Sequence, residues 1–270
     1  MRHPPVTVGP PMVAVAHGSK DPRAAATVEE LLSAVRARRP VVPVLTSFLD
    51  HAPPSPGAVL DGLAAGGAGE AVVLPLLLTA AYHSKSDVPG VLTQVRRRHP
   101  LLGLRTAATL GPHPLLMAAL ERRLAEAGVP IGDPDTAVVL VSAGSSDASA
   151  NATIGAMARE WRERGWRDVV PAFASAARPS PGEAVTALRA AGAPRVVVAS
   201  YFLAPGYFAD KVRDEAMAAG AHAVSPVLGA APELAALVLR RYDEALDAGR
   251  AEGAGGRAPG SPRAGVLATA

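Results

Sequence analysis

The chain carries the same pattern twice, and this internal repeat constrains its fold more than any other feature. The segment VAHGSKD at 15–21 resembles VSAGSSD at 141–147. Two further pairs of segments recur in the same order and at nearly the same spacing: 54–74 with 179–199, and 72–87 with 196–211. Three matches in register indicate a duplicated unit, because chance similarity would not preserve one spacing throughout the chain.

Each copy begins with a short apolar run, then a glycine-containing loop, then a helical pattern. In the first copy the run at 12–16 is followed by Asp21 and Pro22, which suit the N-cap and first position of a helix. The apolar stripe of that helix has the spacing i, i+3, i+4, i+7 and consists of Val28, Leu31, Leu32 and Val35. The pattern continues with predicted strands near 41–49, 70–78 and 103–107, and with predicted helices at 56–65, after 87 and at 114–127. This alternation predicts an α/β fold in which each half has a mostly parallel sheet flanked by helices.

Three polar segments follow predicted strands of the first copy directly. They contain His17, Asp50 with His51, and His83. In parallel sheets the ligand-binding edge lies beyond the carboxyl ends of the strands. The sequence therefore predicts that these side chains converge on one edge of one sheet.

The second copy lacks both of the strand-end histidines. Ala143 stands in place of His17 although Gly144 is retained, and Tyr207 stands in place of His83. The fold therefore requires neither imidazole. Because both are missing from the same copy, we predict that His17 and His83 act together, as metal ligands.

Two carboxylates are candidates for a catalytic role beside the histidines. Asp50 ends the second predicted strand, and Asp87 lies four residues after His83. Either one could assist proton transfer or orient a ligand, but Asp50 could equally be a turn residue and Asp87 a helix cap. His51 is a weaker candidate than its neighbour.

Polar and cationic residues near the same loops are candidates for ligand binding. Ser19 can hydrogen-bond the His17 ring or a ligand. Lys20, Arg23 and Lys85 are placed to meet an anionic substrate.

Composition removes several classes of function. The chain has no cysteine, which excludes disulfides, thiolate zinc sites and cysteine-ligated iron–sulfur clusters. A net charge of +3 does not indicate nucleic-acid binding. The apolar runs are too short to span a bilayer and the N-terminal segment lacks a signal-peptide core, so we expect a cytoplasmic protein without a membrane partner. Nucleotide-binding and serine-hydrolase motifs are absent from the sequence.

The repeat also suggests how the chain is divided. We expect an N-terminal extension at 1–10, a catalytic half at 11–130, a half without the histidines at 131–249, and a disordered tail at 250–270.

The motifs together resemble one known family. V-A-H-G-S-K-D-P-R after the first strand, F-L-D with P-S-P-G after the second, and V-V-L-P-L-L-L-T-A-A-Y-H-S-K-S-D-V-P are similar to the sirohydrochlorin chelatases of the CbiX/SirB type. The resemblance covers about residues 12–245. It implies the class II chelatase fold of two Rossmann-like halves around a cleft, and insertion of Fe²⁺ or Co²⁺ into sirohydrochlorin for siroheme or cobalamin biosynthesis.

The resemblance also assigns roles to residues. It maps the two family histidines onto His17 and His83, and it places Asp50 where family members often have Glu. It implies no permanently bound cofactor; the divalent metal is a substrate, and the anionic tetrapyrrole is the other. Because small family members form dimers that imitate this duplicated chain, a monomer is expected.

Two other functions remain open at this level. The same cleft could serve a non-catalytic carrier of metal or tetrapyrrole, which would bind metal without accelerating insertion. A degenerate structural α/β protein would be indifferent to loss of His17.

Overall fold

The structure, a computed structural model, describes residues 9–79 and 87–255 and confirms an α/β fold built from two duplicated halves. The first half comprises β1 (Met12–Ala16), α1 (Pro22–Arg38), β2 (Val44–Phe48), α2 (Pro56–Ala65), β3 (Glu70–Pro75), α3 (Val88–Arg98), β4 (Gly103–Thr106) and α4 (Pro114–Glu126). The second half comprises β5 (Thr136–Ser142), α5 (Ala148–Arg162), β6 (Asp168–Phe173), α6 (Pro181–Ala190), β7 (Arg195–Ser200), α7 (Tyr207–Ala218), β8 (Ala223–Val224) and α8 (Pro232–Gly255). The elements of the two halves therefore correspond one to one.

Each half contains a four-stranded sheet in which every pair of neighbouring strands is parallel. The strand order is β2-β1-β3-β4 in the first sheet and β6-β5-β7-β8 in the second. Strands β1 and β5 lie inside their sheets and are buried along their whole length, as their continuous apolar sequences predict. The carboxyl ends of β1, β2 and β3 consequently lie side by side.

Helix α1 shows how directly the local sequence specifies its element. The Asp21 side chain caps the helix by accepting a hydrogen bond from the backbone N–H of Arg23 at 2.9 Å, and Pro22 occupies the first turn. The predicted apolar stripe is buried against the sheet: Val28, Leu31, Leu32 and Val35. The predicted helix is therefore confirmed in its start and in its buried face.

Two predicted boundaries differ from those in the structure. The third strand ends at Pro75 rather than near 78, where its pairing with β1 also ends. The predicted tail begins too early, since α8 continues to Gly255. Residues 256–270 lie outside the described residues, as does 1–8 of the predicted N-terminal extension.

Two residues that directly precede helices differ in whether their side chains cap the helix. Helix α3 begins directly after Asp87, which occupies the N-cap position, although its side chain makes no capping hydrogen bond. His113 does cap α4, because its Nδ1 accepts from the backbone N–H of Leu115 at 3.1 Å. Burial lowers the pKa of His113, which favours the neutral ring that this bond requires.

The two halves share the main apolar cluster, and each half also has a smaller cluster of its own. The main apolar cluster combines side chains of both sheets, including Leu74 of β3 and Leu140 of β5. The last helix of each half also crosses over: α4 packs against β7, and α8 packs against α1, β3 and β4. The boundary between the sheets thus does not separate two independent cores.

Tyr201 forms a specific link across this shared core. Its hydroxyl group donates a hydrogen bond to the carbonyl oxygen of Leu78, 2.9 Å away in the other half. The residue is only 2% exposed, and burial raises the pKa of Tyr201, so the hydroxyl stays protonated.

No helix within 9–79 and 87–255 combines the length and apolar character needed to span a membrane.

We expect the Tyr201→Phe variant to lose about 1 to 2 kcal/mol of unfolding free energy, because the carbonyl of Leu78 loses the donor that the buried Tyr201 supplies. Denaturant titration measures the change. Tyr207→Phe, at a tyrosine that is 74% exposed, is the control and should be neutral. Equal stabilities for Tyr201→Phe and the unmodified chain would contradict the link.

Candidate functional site

A cavity of about 780 Å³ lies between the two halves, at the carboxyl ends of the central strands. Its walls come from the segments that follow β1 and β3 in the first half and β5 and β7 in the second. Parallel sheets place their ligand sites at this edge. The cavity is therefore the candidate site, and both halves contribute to it.

His17 lies on the cavity wall directly after β1 and is exposed. Its Nδ1 is 3.0 Å from the carbonyl oxygen of Gly18. Since a carbonyl only accepts hydrogen bonds, this contact places the proton on Nδ1, and the lone pair of the neutral ring is then on Nε2. A neutral imidazole of this kind is a ligand for divalent transition metals.

The turn that carries His17 depends on a close backbone approach. The backbone N–H of Asp50 donates to the carbonyl oxygen of His17 at 2.9 Å, and Gly18 has a φ of 92°. A Cβ atom on Gly18 would lie 1.8 Å from the carbonyl oxygen of Asp50. Only glycine fits here, and the turn fixes where the imidazole begins.

The second half repeats this turn without the imidazole. Gly144 has a φ of 81°, and a Cβ atom there would lie 2.0 Å from the carbonyl oxygen of Ser175. The backbone N–H of Ser175 donates a hydrogen bond to the carbonyl oxygen of Ala143 at 2.9 Å. The equivalent bond in the first half runs from the N–H of Asp50 to the carbonyl oxygen of His17. The turn therefore forms equally well with alanine in place of histidine.

His51 lines the cavity, although the sequence pattern favoured its neighbour. Its ring centroid is 6.5 Å from that of His17. Asp50 lies beside it and outside the cavity wall: Asp50 Oδ2 is 3.3 Å from His51 Nε2, and Oδ1 accepts from the His51 backbone N–H at 2.8 Å. The carboxylate predicted for the site thus faces a histidine that the sequence ranked lower. The position of His51 after β2 was the only feature of the sequence that pointed to this histidine.

The predicted anion-binding residues do not all reach the cavity. Ser19 and Lys20 line it, and the Ser19 hydroxyl accepts from the backbone N–H of Asp21 at 3.0 Å. Arg23 does not line it. Its guanidinium pairs with Asp21 and with Asp210 of α7, each at 2.5 Å, and holds the pKa of Asp21 below its usual range.

The prediction that Arg23 binds an anionic substrate stays a prediction. Its Nε and Nη2 atoms are hydrogen-bonded to two carboxylates, of which Asp210 belongs to the other half. Sequence spacing could not show this contact, because it joins residues 187 positions apart. Through this ion pair Arg23 connects the two halves beside the cavity.

Some predicted residues cannot be placed in the site. His83 and Lys85 lie outside the described residues. Asp87 is described, at the start of α3, but it is not part of the cavity wall. Within the described ranges, no three His, Asp or Glu side chains form a group that could hold a metal ion.

The rest of the cavity wall is largely apolar. The side chains involved come from both halves: Val28, Phe48, Leu76, Leu77, Leu78, Ile154, Tyr201, Phe202, Leu203 and Phe208. A wide, largely apolar cavity that also carries polar groups from both halves is typical of a site for a large organic ligand.

Comparisons with known proteins agree with this geometry. The sequence matches the family model described as CbiX over residues 11–127 and 137–245. The sirohydrochlorin cobaltochelatase of Priestia megaterium is 29% identical over 204 residues, which cover 74% of this chain and 66% of that protein, slightly less than two thirds. The sirohydrochlorin ferrochelatase of Bacillus subtilis is 26% identical over 77% of this chain and 79% of that protein.

A solved structure has the same architecture. SirB from Bacillus subtilis with Fe³⁺ superposes with a TM-score of 0.79 at 26% identity, over 90% of this chain and 96% of that one. The two-sheet fold is therefore shared.

We expect Gly18→Ala to reduce the unfolding free energy by about 2 kcal/mol or more, because the added Cβ meets backbone and the φ value is unfavourable for alanine. Gly144→Ala should cost a similar amount. Chemical denaturation measures both.

Gly62→Ala is the matched control, since Gly62 lies in α2 with nothing within 4 Å of an added Cβ. That variant should be neutral or slightly stabilised. A Gly18→Ala protein as stable as Gly62→Ala would refute the close approach.

Proposed function

Because this chain belongs to the CbiX family, we propose that it inserts a divalent metal ion into sirohydrochlorin, acting as a chelatase for siroheme or cobalamin biosynthesis. One observation carries the proposal most strongly: His17 opens into an apolar cavity between the two halves. The imidazole ligands suit both Fe²⁺ and Co²⁺, and the proposal covers both. We further propose that the chain acts as a cytoplasmic monomer without nucleic-acid or membrane partners.

The metal is a substrate, and the proposed ligands are His17 and His83. Neutral imidazole binds borderline divalent metals without adding charge. The His17 tautomer supports this role, because the contact of Nδ1 with Gly18 leaves the lone pair on Nε2. His83 enters from the sequence alone, through its position after β3 and its loss together with His17.

Insertion also releases two protons from the pyrrole nitrogens for each M²⁺ that enters. Histidine accepts protons near neutral pH, so imidazoles on the cavity wall suit this step. We propose that His51 takes part and that Asp50 positions it, since Asp50 contacts both the ring and the backbone of His51. The Asp50 side chain is 65% exposed, so its carboxylate is in contact with solvent. Asp87 remains a second candidate carboxylate.

The macrocycle is held by apolar contact and by a few polar groups. The wide apolar walls suit its flat body. Lys20 and Ser19, which line the cavity, suit the carboxylates at its periphery, with Lys85 as a further proposed contact.

We expect His17→Ala and His83→Ala to insert Co²⁺ or Fe²⁺ into sirohydrochlorin at the uncatalysed rate under anaerobic conditions, followed by absorbance. Both should remain folded, because the second half has Ala143 at the position of His17 in an equivalent turn and Tyr207 at the position of His83 in the repeat. The control is His99→Gln, since His99 contacts Asp61 outside the cavity and its loss should leave insertion unchanged.

Other outcomes identify other functions. Unmodified protein that binds metal tightly but inserts it no faster than buffer is a carrier and refutes the chelatase. Unchanged insertion by His17→Ala would refute the proposed ligand.

A second experiment tests the positioning role of Asp50. Asp50→Asn should lower insertion about 10- to 100-fold and alter its pH profile, because the His51 ring loses its charged partner. Asp50→Glu should restore part of the rate.

Asp61→Asn is the matched control, because Asp61 forms a similar pair with His99 away from the cavity. Its insertion rate and pH profile should be those of the unmodified chain. An Asp50→Asn protein with the same rate and profile would show that Asp50 is only a turn residue.

A further inference from the structure

Two aromatic side chains stand exposed at the start of α7. Tyr207 is 74% exposed and Phe208 is 40% exposed, and both line the cavity. Large apolar side chains in solvent are costly when they gain nothing in return. Two adjacent rings on the wall of a ligand cavity therefore point to a ligand that covers them.

The two rings have a defined mutual geometry. Their centroids are 5.5 Å apart and their planes meet at 63°, which is an edge-to-face contact. Since the edge of one ring meets the other, faces of the pair remain available to a third flat group. Neither side chain carries a formal charge, so the surface they offer suits an aromatic ligand rather than a hydrated ion.

The segment that carries the rings is held in place from two sides. Ala209 and Val212 of α7 are buried in the second half, and Asp210 forms its ion pair with Arg23 of the first half. A Cβ atom on Gly206 would lie 3.8 Å from Ser19 Oγ, so α7 begins directly beside the loop of His17. The rings are therefore presented on a fixed support, which limits the entropy lost when a ligand binds.

We propose that Tyr207 and Phe208 bind the tetrapyrrole macrocycle by stacking, so that the half without histidines contributes substrate binding. The inference rests on the proposed function and extends it to particular residues. Tyr207 aligns with His83 in the repeat. The position that carries a proposed metal ligand in one half thus carries a substrate contact in the other.

The test compares Tyr207→Ala with Tyr207→Trp and Met217→Ala. Met217 lies on the same helix, is 50% exposed and is not part of the cavity wall, so it controls for loss of an exposed apolar side chain. Insertion kinetics give KM for sirohydrochlorin and for Co²⁺ separately. Equilibrium binding of sirohydrochlorin without metal, followed by absorbance, measures the contact without turnover.

Tyr207→Ala should raise KM and the dissociation constant for sirohydrochlorin about tenfold, the loss expected for one aromatic contact. KM for Co²⁺ should not change. Tyr207→Trp should restore sirohydrochlorin binding, and Met217→Ala should match the unmodified chain.

The outcomes separate this inference from the chelatase proposal. If the unmodified chain inserts metal but Tyr207→Ala binds sirohydrochlorin normally, the stacking role is overturned and the chelatase stands. If Tyr207→Ala and Met217→Ala weaken binding equally, the effect is not a contact at the cavity, and the inference is also overturned. If the unmodified chain neither binds nor metallates sirohydrochlorin, the chelatase proposal itself fails.

Discussion

The close approach of two backbone segments at the carboxyl end of each sheet determines what the cavity can contain. In the first half the chain after β1 touches the chain after β2, with Gly18 against the carbonyl of Asp50. This contact sets the positions of His17 and His51 at once, since each belongs to one of the two segments. In the second half the same contact exists between Gly144 and Ser175, and neither of these two turn segments contains a histidine. The same backbone turn thus forms with two different sets of side chains. The turn fixes where the side chains begin but does not determine which residues occupy the site.

The shared core holds the turn after β1 and the turn after β5 on opposite sides of the cavity. Each half sends its last helix to the sheet of the other, and Tyr201 binds a carbonyl across the boundary. The ion pair of Arg23 with Asp210 adds a contact beside the cavity, although exposed pairs of this kind contribute little stability. The cavity is therefore bounded by parts that cannot shift separately without disturbing the core.

The sequence predicted the features that depend on local patterns. The cap and buried stripe of α1, the parallel strands and the strand-end place of His17 all follow from residue spacing, and the structure confirms them. The sequence did not reveal contacts between residues that lie far apart in the chain. The contact of Arg23 with Asp210 could not be foreseen from the residues near it in sequence, and His51 ranked below Asp50 because the pattern cannot tell which side chain faces the cavity. The roles of the site residues remain predictions.

The unequal contents of the two halves have a consequence for stereochemistry. A symmetric pair of halves would treat the two faces of a flat ligand alike, and metal could approach from either. Here the frame is nearly symmetric, but imidazoles line one half and a serine-containing turn lines the other. A planar molecule in this cavity consequently meets two chemically distinct walls. Under the proposed function, metal entry and proton departure would take place at the face of the macrocycle that meets the imidazoles.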